Sequence, residues 1–223
     1  MAAPSRKPCT CCLTFWWAEV VCWIARTYPR PRVAVRSERA RTGLSAIDMT
    51  IKRVKAVFLD RDGVINQTVF RRGAQRAPQD LSEWAWIDGV HDTLRALSAR
   101  GYALIVCTNQ PDVVRGWQTR DRVDAFHALI ERELPVSRIY ACFHDTADAC
   151  ACRKPKPGML LRAAEELSVE LARSWMIGDR ASDIEAGRAA GCQTVLMRGP
   201  TQSEQASADH EIRALPELLA IIR

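Results

Sequence analysis

Asp60 and Asp62 stand two residues apart, directly after an apolar run of Val54 and then Ala56-Val57-Phe58-Leu59. In an extended chain that spacing turns both carboxylates to the same side, and Gly63 lets the backbone turn away at once. One carboxylate in such a pair can attack an electrophile while the other moves protons, and a divalent cation can hold the attacker in place. The plainer reading of these residues alone is a strand that closes in a solvated Asp-Gly turn. The preceding run has the near-continuous apolar character of a strand in a parallel sheet. The carboxyl edge of such a sheet is where open α/β folds bind ligands.

Three later stretches add to this picture. Tyr102 to Cys107 reads as a second buried strand and ends in Thr108-Asn109-Gln110, whose hydroxyl and amide suit the oxygens of a phosphate. A cationic segment follows, Arg153-Lys154-Pro155-Lys156-Pro157-Gly158. Trp175-Met176-Ile177 then leads into Gly178-Asp179-Arg180-Ala181-Ser182-Asp183, a further strand that ends in acids. In chain order these supply a nucleophile, a phosphate ligand, a cation and a metal-binding carboxylate.

From about Lys52 to Gly199 the chain resembles the haloacid dehalogenase superfamily of aspartate-nucleophile phosphatases. It looks most like the branch that holds heptose bisphosphate 7-phosphatases and histidinol-phosphatases. The resemblance is carried by Asp60-Arg61-Asp62-Gly63-Val64-Ile65-Asn66, Thr108-Asn109-Gln110, Cys152 to Met159, and Gly178-Asp179. It implies that Asp60 is the nucleophile and that Asp62 first protonates the leaving group and then activates water. It also implies that Mg²⁺ is held by Asp60, Asp179 and the Asp62 backbone carbonyl. Thr108 and Lys154 would hold the transferring phosphoryl group, Arg153 would contact the rest of the substrate, and Asn109 would help orient it. Asp183 has two readings: it orients Lys154 or supports the metal, or it complements the dipole of a helix that begins beside it. The expected substrate is a small sugar phosphate, foremost D-glycero-D-manno-heptose 1,7-bisphosphate with the 7-phosphate removed. Histidinol phosphate and a nucleic-acid 3′-phosphate are the alternatives. Pro111-Asp112 follows Gln110 where heptose-type relatives commonly carry Ser-Gly.

Cys142, His144, Cys150 and Cys152 place three thiols and an imidazole within eleven positions. That set matches a structural, tetrahedral Cys₃His zinc site with no open position for water. Free buried cysteines beside a surface histidine are the alternative. Zinc would clamp Asp145 to Ala149, which shows no strong helix or strand pattern, and shape the loop that delivers Arg153 and Lys154. Thr146 stands where the family usually has proline.

A chain of 223 residues with net charge +6 has ample length for one domain with a sizeable core. Residues 1–48 carry eight Lys/Arg against three Asp/Glu, and residues 49–223 twenty-four against twenty-three. The basic character therefore belongs to the extension, and the near-neutral remainder lacks the basic track that nucleic-acid binding needs. The extension also holds Cys9, Cys11, Cys12, Cys22, Trp16, Trp17 and Trp23. Its apolar run is too short to span a bilayer and is broken by Glu19. Residues 1–48 are expected to lie outside the fold, with the phosphatase domain at residues 49–223 and Met49 as a natural start. The cysteines of the domain suit a reducing, cytoplasmic setting, and a monomer without nucleic-acid or membrane partners is expected.

The elements that must position these residues alternate between strand and helix periodicity. Val90, Leu94 and Leu97 predict a helix that ends near Gly101. Thr119 caps a helix bearing Val123, Phe126, Ile130 and Leu134, which Pro135 stops. Ile139 to Phe143 reads as a strand, Pro157 starts a helix through Leu167, and Ser182 to Ala190 is helical. Thr194 to Met197 is the last clear strand, and Ala214 to Ile222 a closing helix. Alternation of this kind argues for an α/β fold with a parallel sheet. The resemblance adds a Rossmann-like three-layer sandwich, with a short flap and zinc loop in place of a full cap domain. The flap, Gln67 to Ile87, carries Arg71, Arg72 and Arg76, which either read a second phosphate or are simply solvated. His91 and His127 read as surface or satisfied side chains, His210 as part of a polar tail, and Cys107 and Cys192 as inert.

Overall fold

The computed structural model describes residues 53–71, 73–199 and 206–223. The expectations for residues 1–48 and for Arg72 fall outside these residues. A six-stranded sheet runs in the order β5-β4-β1-β6-β7-β8, every neighbouring pair parallel. Its strands are β1 (Ala56–Leu59), β4 (Ala103–Asn109), β5 (Val136–Cys142), β6 (Trp175–Gly178), β7 (Gln193–Met197) and β8 (His210–Ile212). A separate antiparallel hairpin, β2 (Val69–Arg71) with β3 (Ala74–Arg76), forms the flap. The helices are α1 (Val90–Ala99), α2 (Arg120–Glu133), α3 (Gly158–Leu167), α4 (Ala181–Ala190) and α5 (Leu218–Ile221).

Three layers follow from strand alternation. Val57 and Leu59 of β1 face one side, where they join an apolar cluster with Leu94 and Leu97 of α1, Ile130 of α2 and Leu218 of α5. Ala56 and Phe58 face the other side and join Met159, Leu160 and Ala163 of α3 and Ala190 of α4. Because both faces are covered, β1 is buried along its whole length, as parallel strands under two helical layers must be.

The chain adds β4 and β5 to one side of β1 and then returns to place β6, β7 and β8 on the other. The order therefore reverses beside β1, and the carboxyl ends of β4, β1 and β6 lie next to one another. This is the crevice where doubly wound sheets bind ligands. The Asp60 amide reaches across it to the Ile177 carbonyl at 2.9 Å.

Most expected boundaries hold, and the departures have physical causes. Thr119 caps α2 by accepting from the Arg122 amide, and Gly101 adopts φ +82 just beyond α1. Strand β5 begins at Val136 and not Ile139, because Ser137 and Arg138 stand exposed on an outer strand and break the apolar run. The closing element splits into a 3-10 turn, Leu215–Glu217, and the short α5. His210 is not in a polar tail: it belongs to the short edge strand β8, its ring 5.7 Å from that of Trp175. His91 is half-buried with its ring 4.8 Å from that of Trp86. No helix among the described residues is long and apolar enough to cross a membrane.

His127 departs from expectation too. Its Nε2 is buried with no hydrogen-bond partner among the described residues, and burial together with the nearby Arg61 charge pushes its pKa from 6.5 down to about 4. The unfolded chain therefore binds the extra proton between those values, and the neutral imidazole's contribution to stability is lost as pH falls from 6.5 toward 4. Denaturant titrations of wild type and His127→Phe should show the wild type losing stability relative to the variant across that interval. A difference that stays flat with pH contradicts this placement of the ring.

Candidate active site

The site begins at the tip of β1. Asp60 and Asp62 are both buried, and the chain escapes between them and Asn66 through Gly63 at φ +96. A Cβ on Gly63 would stand 2.4 Å from Asp179 Oδ2, so this turn requires glycine to let β1 and β6 present their acids together. Gly178 serves the same end, since a Cβ there would meet the Asp183 Cβ at 2.1 Å.

Lys154 is the centre of the charge arrangement. Its ammonium is buried and donates to Asp60 Oδ1 at 2.8 Å and to the Cys107 carbonyl at 2.6 Å. It also lies 2.6 Å from Asp183 Oδ1. Burial works against the ammonium, but Asp183 and Asp60 outweigh it and hold the Lys154 pKa above its ordinary value. The amide of Asn109 grips the Lys154 backbone at both ends, Nδ2 donating to its carbonyl at 3.0 Å and Oδ1 accepting from its N–H at 3.1 Å. Asn109 borders the cavity, but its hydrogen-bonding groups are engaged in holding the lysine.

Oxygens of Asp60, Asp179 and Asp183 all lie within 4.8 Å of one another. Asp183 is already occupied, by Lys154 on Oδ1 and by the Arg180 amide on Oδ2 at 3.1 Å. Both readings of Asp183 thus coexist, for it orients the lysine and sits in the first turn of α4. Burial, and then the neighbouring acids, raise the Asp179 pKa to about 8. Burial raises Asp60 to about 6, against the pull of Lys154. A cluster of buried carboxylates is a set of hard oxygen donors that a magnesium ion fits, and Asp60 with Asp179 would hold it.

Asp62 is treated differently. Burial would raise its pKa, but the Arg61 guanidinium, Asn66 and Gln110 together hold it below the ordinary carboxylate value. Gln110 Nε2 donates both to Asp62 Oδ2 and to Thr108 Oγ1, each at 2.8 Å. Arg61, Asn66 and Gln110 were not singled out from sequence. Alternation along the strand turns Arg61 away from the two acids' side and into the fold, and that much was readable.

Cys142, His144, Cys150 and Cys152 converge. Five separations among the three Sγ atoms and His144 Nδ1 fall between 3.3 and 3.7 Å. Tetrahedral zinc with bonds of about 2.3 Å to sulfur and about 2.0 Å to nitrogen has edges of roughly 3.5–3.8 Å, so these separations come within about 0.5 Å of that geometry, the Cys152 contacts being the short ones. The intervening residues form a 3-10 turn, Thr146–Asp148, with Asp145 and Asp148 bonded reciprocally across it. That arrangement gives the loop a path without the proline that Thr146 replaces. Arg115 adds a two-pronged contact to Asp145 at 2.7 and 2.6 Å, and Arg153 Nη1 donates to the His144 carbonyl at 3.1 Å.

A cavity of about 470 Å³ lies over these groups, with Asp60, Asp62 and Lys154 on its floor and Arg76, Arg115, Arg153 and Arg180 among its walls. Of the flap arginines, Arg71 is paired with Glu83 and Arg76 borders the cavity. Thr108 is buried behind the lining residues. Cys107 and Cys192 are buried, which pushes both thiols up to about 12, away from the thiolate form that reacts.

A HAD-hydrolase-like family model matches residues 151–219. The D-glycero-beta-D-manno-heptose-1,7-bisphosphate 7-phosphatase of Yersinia pestis is 35% identical over 186 residues, covering 76% of this chain and 96% of its own. The enzyme of that name from Pseudomonas aeruginosa is 38% identical over 148 residues, 64% of this chain and 80% of its own. The crystal structure of D,D-heptose 1,7-bisphosphate phosphatase from B. bronchiseptica, complexed with magnesium and phosphate, is similar with a TM-score of 0.63 at 28% identity. It covers 75% of this chain and 99% of that one. The chain belongs to the haloacid dehalogenase superfamily of phosphatases. Within that superfamily it is related to the D-glycero-manno-heptose 1,7-bisphosphate 7-phosphatases, and it is a phosphoric monoester hydrolase.

The Cys₃His geometry predicts one zinc per chain by elemental analysis of purified protein. Cys150→Ser should lose the metal and, with the loop that carries Arg153 and Lys154 loosened, at least ~10-fold of the phosphatase activity. Protein that purifies free of zinc and remains fully active contradicts this.

Proposed function

We propose that the protein removes the 7-phosphate of D-glycero-D-manno-heptose 1,7-bisphosphate through an aspartyl phosphate on Asp60. The observation that carries this reading is a cavity that sets the buried Asp60–Lys154 pair beneath a wall of arginines, in a chain related to enzymes named for that substrate.

In the first step an Asp60 oxygen attacks phosphorus. The bond from phosphorus to the sugar oxygen breaks, its electron pair goes to that oxygen, and Asp62, which has first taken up a proton from solvent, supplies that proton. In the second step Asp62 takes a proton from water, whose oxygen attacks phosphorus and releases phosphate and the Asp60 carboxylate. Lys154 bears on the phosphoryl oxygens, where a fixed donor stabilises developing charge, whereas Thr108 lies behind the cavity lining with its Oγ1 accepting from Gln110. Asn109 acts on substrate through Lys154, whose backbone it fixes. Asp60 and Asp179, with the Asp62 carbonyl, would hold a magnesium ion, whose positive charge would let an anionic nucleophile meet an anionic ester. Arg153, and Arg76 from the flap, face the part of the substrate that is not transferred.

The near-neutral composition of residues 49–223 disfavours a nucleic-acid 3′-phosphate, and histidinol phosphate is the competing small ester. Phosphate release with Mg²⁺ should be compared on the heptose bisphosphate, histidinol phosphate and fructose 1,6-bisphosphate. The heptose ester should give the highest kcat/KM, and Asp60→Asn should abolish turnover while the protein remains folded. A higher kcat/KM on histidinol phosphate would discard the sugar assignment; full activity in Asp60→Asn would discard the mechanism.

A further inference from the structure

Arg61 is the largest side chain with no solvent exposure at all. It stands between the two acids of the site, yet it points away from the cavity and does not line it. A buried guanidinium carries a heavy desolvation cost unless it is paired with good geometry. Here it is paired with Asp62 alone among the acids. Nη2 reaches Oδ2 at 2.8 Å and Oδ1 at 3.0 Å, and Nε reaches Oδ1 at 3.2 Å. The same Nη2 donates to Gln110 Oε1 at 3.1 Å, while Gln110 Nε2 returns to Asp62. Asn66 Nδ2 adds a further bond to Oδ1 at 3.0 Å.

The guanidinium is itself fixed from behind. Its Cζ lies 5.3 Å from the centre of the Phe126 ring, and that ring stacks on Trp84 at 5.1 Å. The Arg61 carbonyl accepts from the amides of Ile65 and Asn66, at 2.8 and 3.1 Å. A rigid planar fork of this kind fixes the orientation of a carboxylate in a way that a flexible ammonium does not.

We propose that Arg61 is a positioning residue for proton transfer: from the hidden side of the site it fixes the Asp62 carboxylate at the place where the leaving oxygen departs. This rests on the reading of Asp62 as the acid and base of the two steps above. The step affected is the first, in which the P–O bond to the leaving group breaks and the Asp62 proton moves to that oxygen. Small misplacement of a proton donor is expensive in rate, but only where the leaving oxygen needs the proton. An alkoxide does, and p-nitrophenolate, a much weaker base, does so far less.

The test measures kcat/KM, which for this two-step reaction reports events up to the aspartyl phosphate. Wild type, Arg61→Met, Arg61→Lys and Asp62→Asn are compared on p-nitrophenyl phosphate and on the sugar phosphate that the wild type turns over fastest. Arg61→Met should lower kcat/KM about 100-fold on the sugar ester and no more than about 3-fold on the aryl ester, following Asp62→Asn in kind. Arg61→Lys keeps a buried cation but lacks the fork. It should discriminate in the same sense by about 10-fold, which keeps the test available if the methionine variant does not fold. If Asp62→Asn discriminates between the esters and neither Arg61 variant does, Arg61 has only a structural role and the inference fails. If Asp62→Asn lowers both esters equally, the acid–base reading of Asp62 fails first.

Discussion

The buried triangle of Lys154, Asp60 and Asp183 is the constraint on which the rest of the molecule depends. A buried ammonium must be matched by charge, and the two acids come from the tip of β1 and the first turn of α4. The lysine itself arrives from the segment that follows the Cys₃His loop. One interaction therefore ties together three parts of the chain that are far apart in sequence. Removing one partner of such a pair costs roughly 3–5 kcal/mol, because the other is left buried and unpaired. The secondary features serve this triangle. Asn109 clamps the lysine backbone, Gly178 lets Asp183 approach β6, and Lys156 ties the Cys₃His loop by donating to the Ala149 and Cys150 carbonyls at 2.8 Å each.

The same tip of β1 yields two carboxylates of opposite character from one short motif. Asp60 is lifted by burial to about 6 and is bound to a single lysine. Asp62 is surrounded by donors from Arg61, Asn66 and Gln110 and is held low. The two environments separate the acids, Asp62 ionising below Asp60, so in the proposed mechanism Asp62 must first take up a proton before it can give one to the leaving oxygen. The division is built from both faces of the strand, since Lys154 meets Asp60 within the crevice and Arg61 meets Asp62 from inside the fold.

Much of this was legible in the chain. Unbroken apolar runs marked the buried strands, because burial on both faces removes the need for alternation, and Thr119, Gly101 and Pro135 marked helix ends through ordinary capping chemistry. The acids were legible because each follows an apolar run and so lies at a strand tip. What escaped were features fixed by packing at a distance. The strand at His210–Ile212 is too short and exposed to leave a pattern. The start of β5 is masked by Ser137 and Arg138, and the flap hairpin pairs each apolar residue with a polar one, Val69 with Arg76, Phe70 with Gln75 and Ala74 with Arg71. The Arg61–Asp62–Gln110 network joins positions about fifty residues apart. Asn109, expected on substrate by resemblance, is bonded to the backbone of Lys154, 45 residues on, through a contact that no local pattern encodes.

The proposed mechanism requires that Asp60, poised by Lys154, become covalently phosphorylated. The most direct measurement is peptide mass spectrometry on protein acid-quenched during steady turnover with Mg²⁺ and a sugar phosphate. The account predicts one added phosphoryl group on the peptide that contains Asp60, present during turnover and gone once substrate is exhausted. Rapid phosphate release with no phosphoryl group on Asp60 at any time would contradict it.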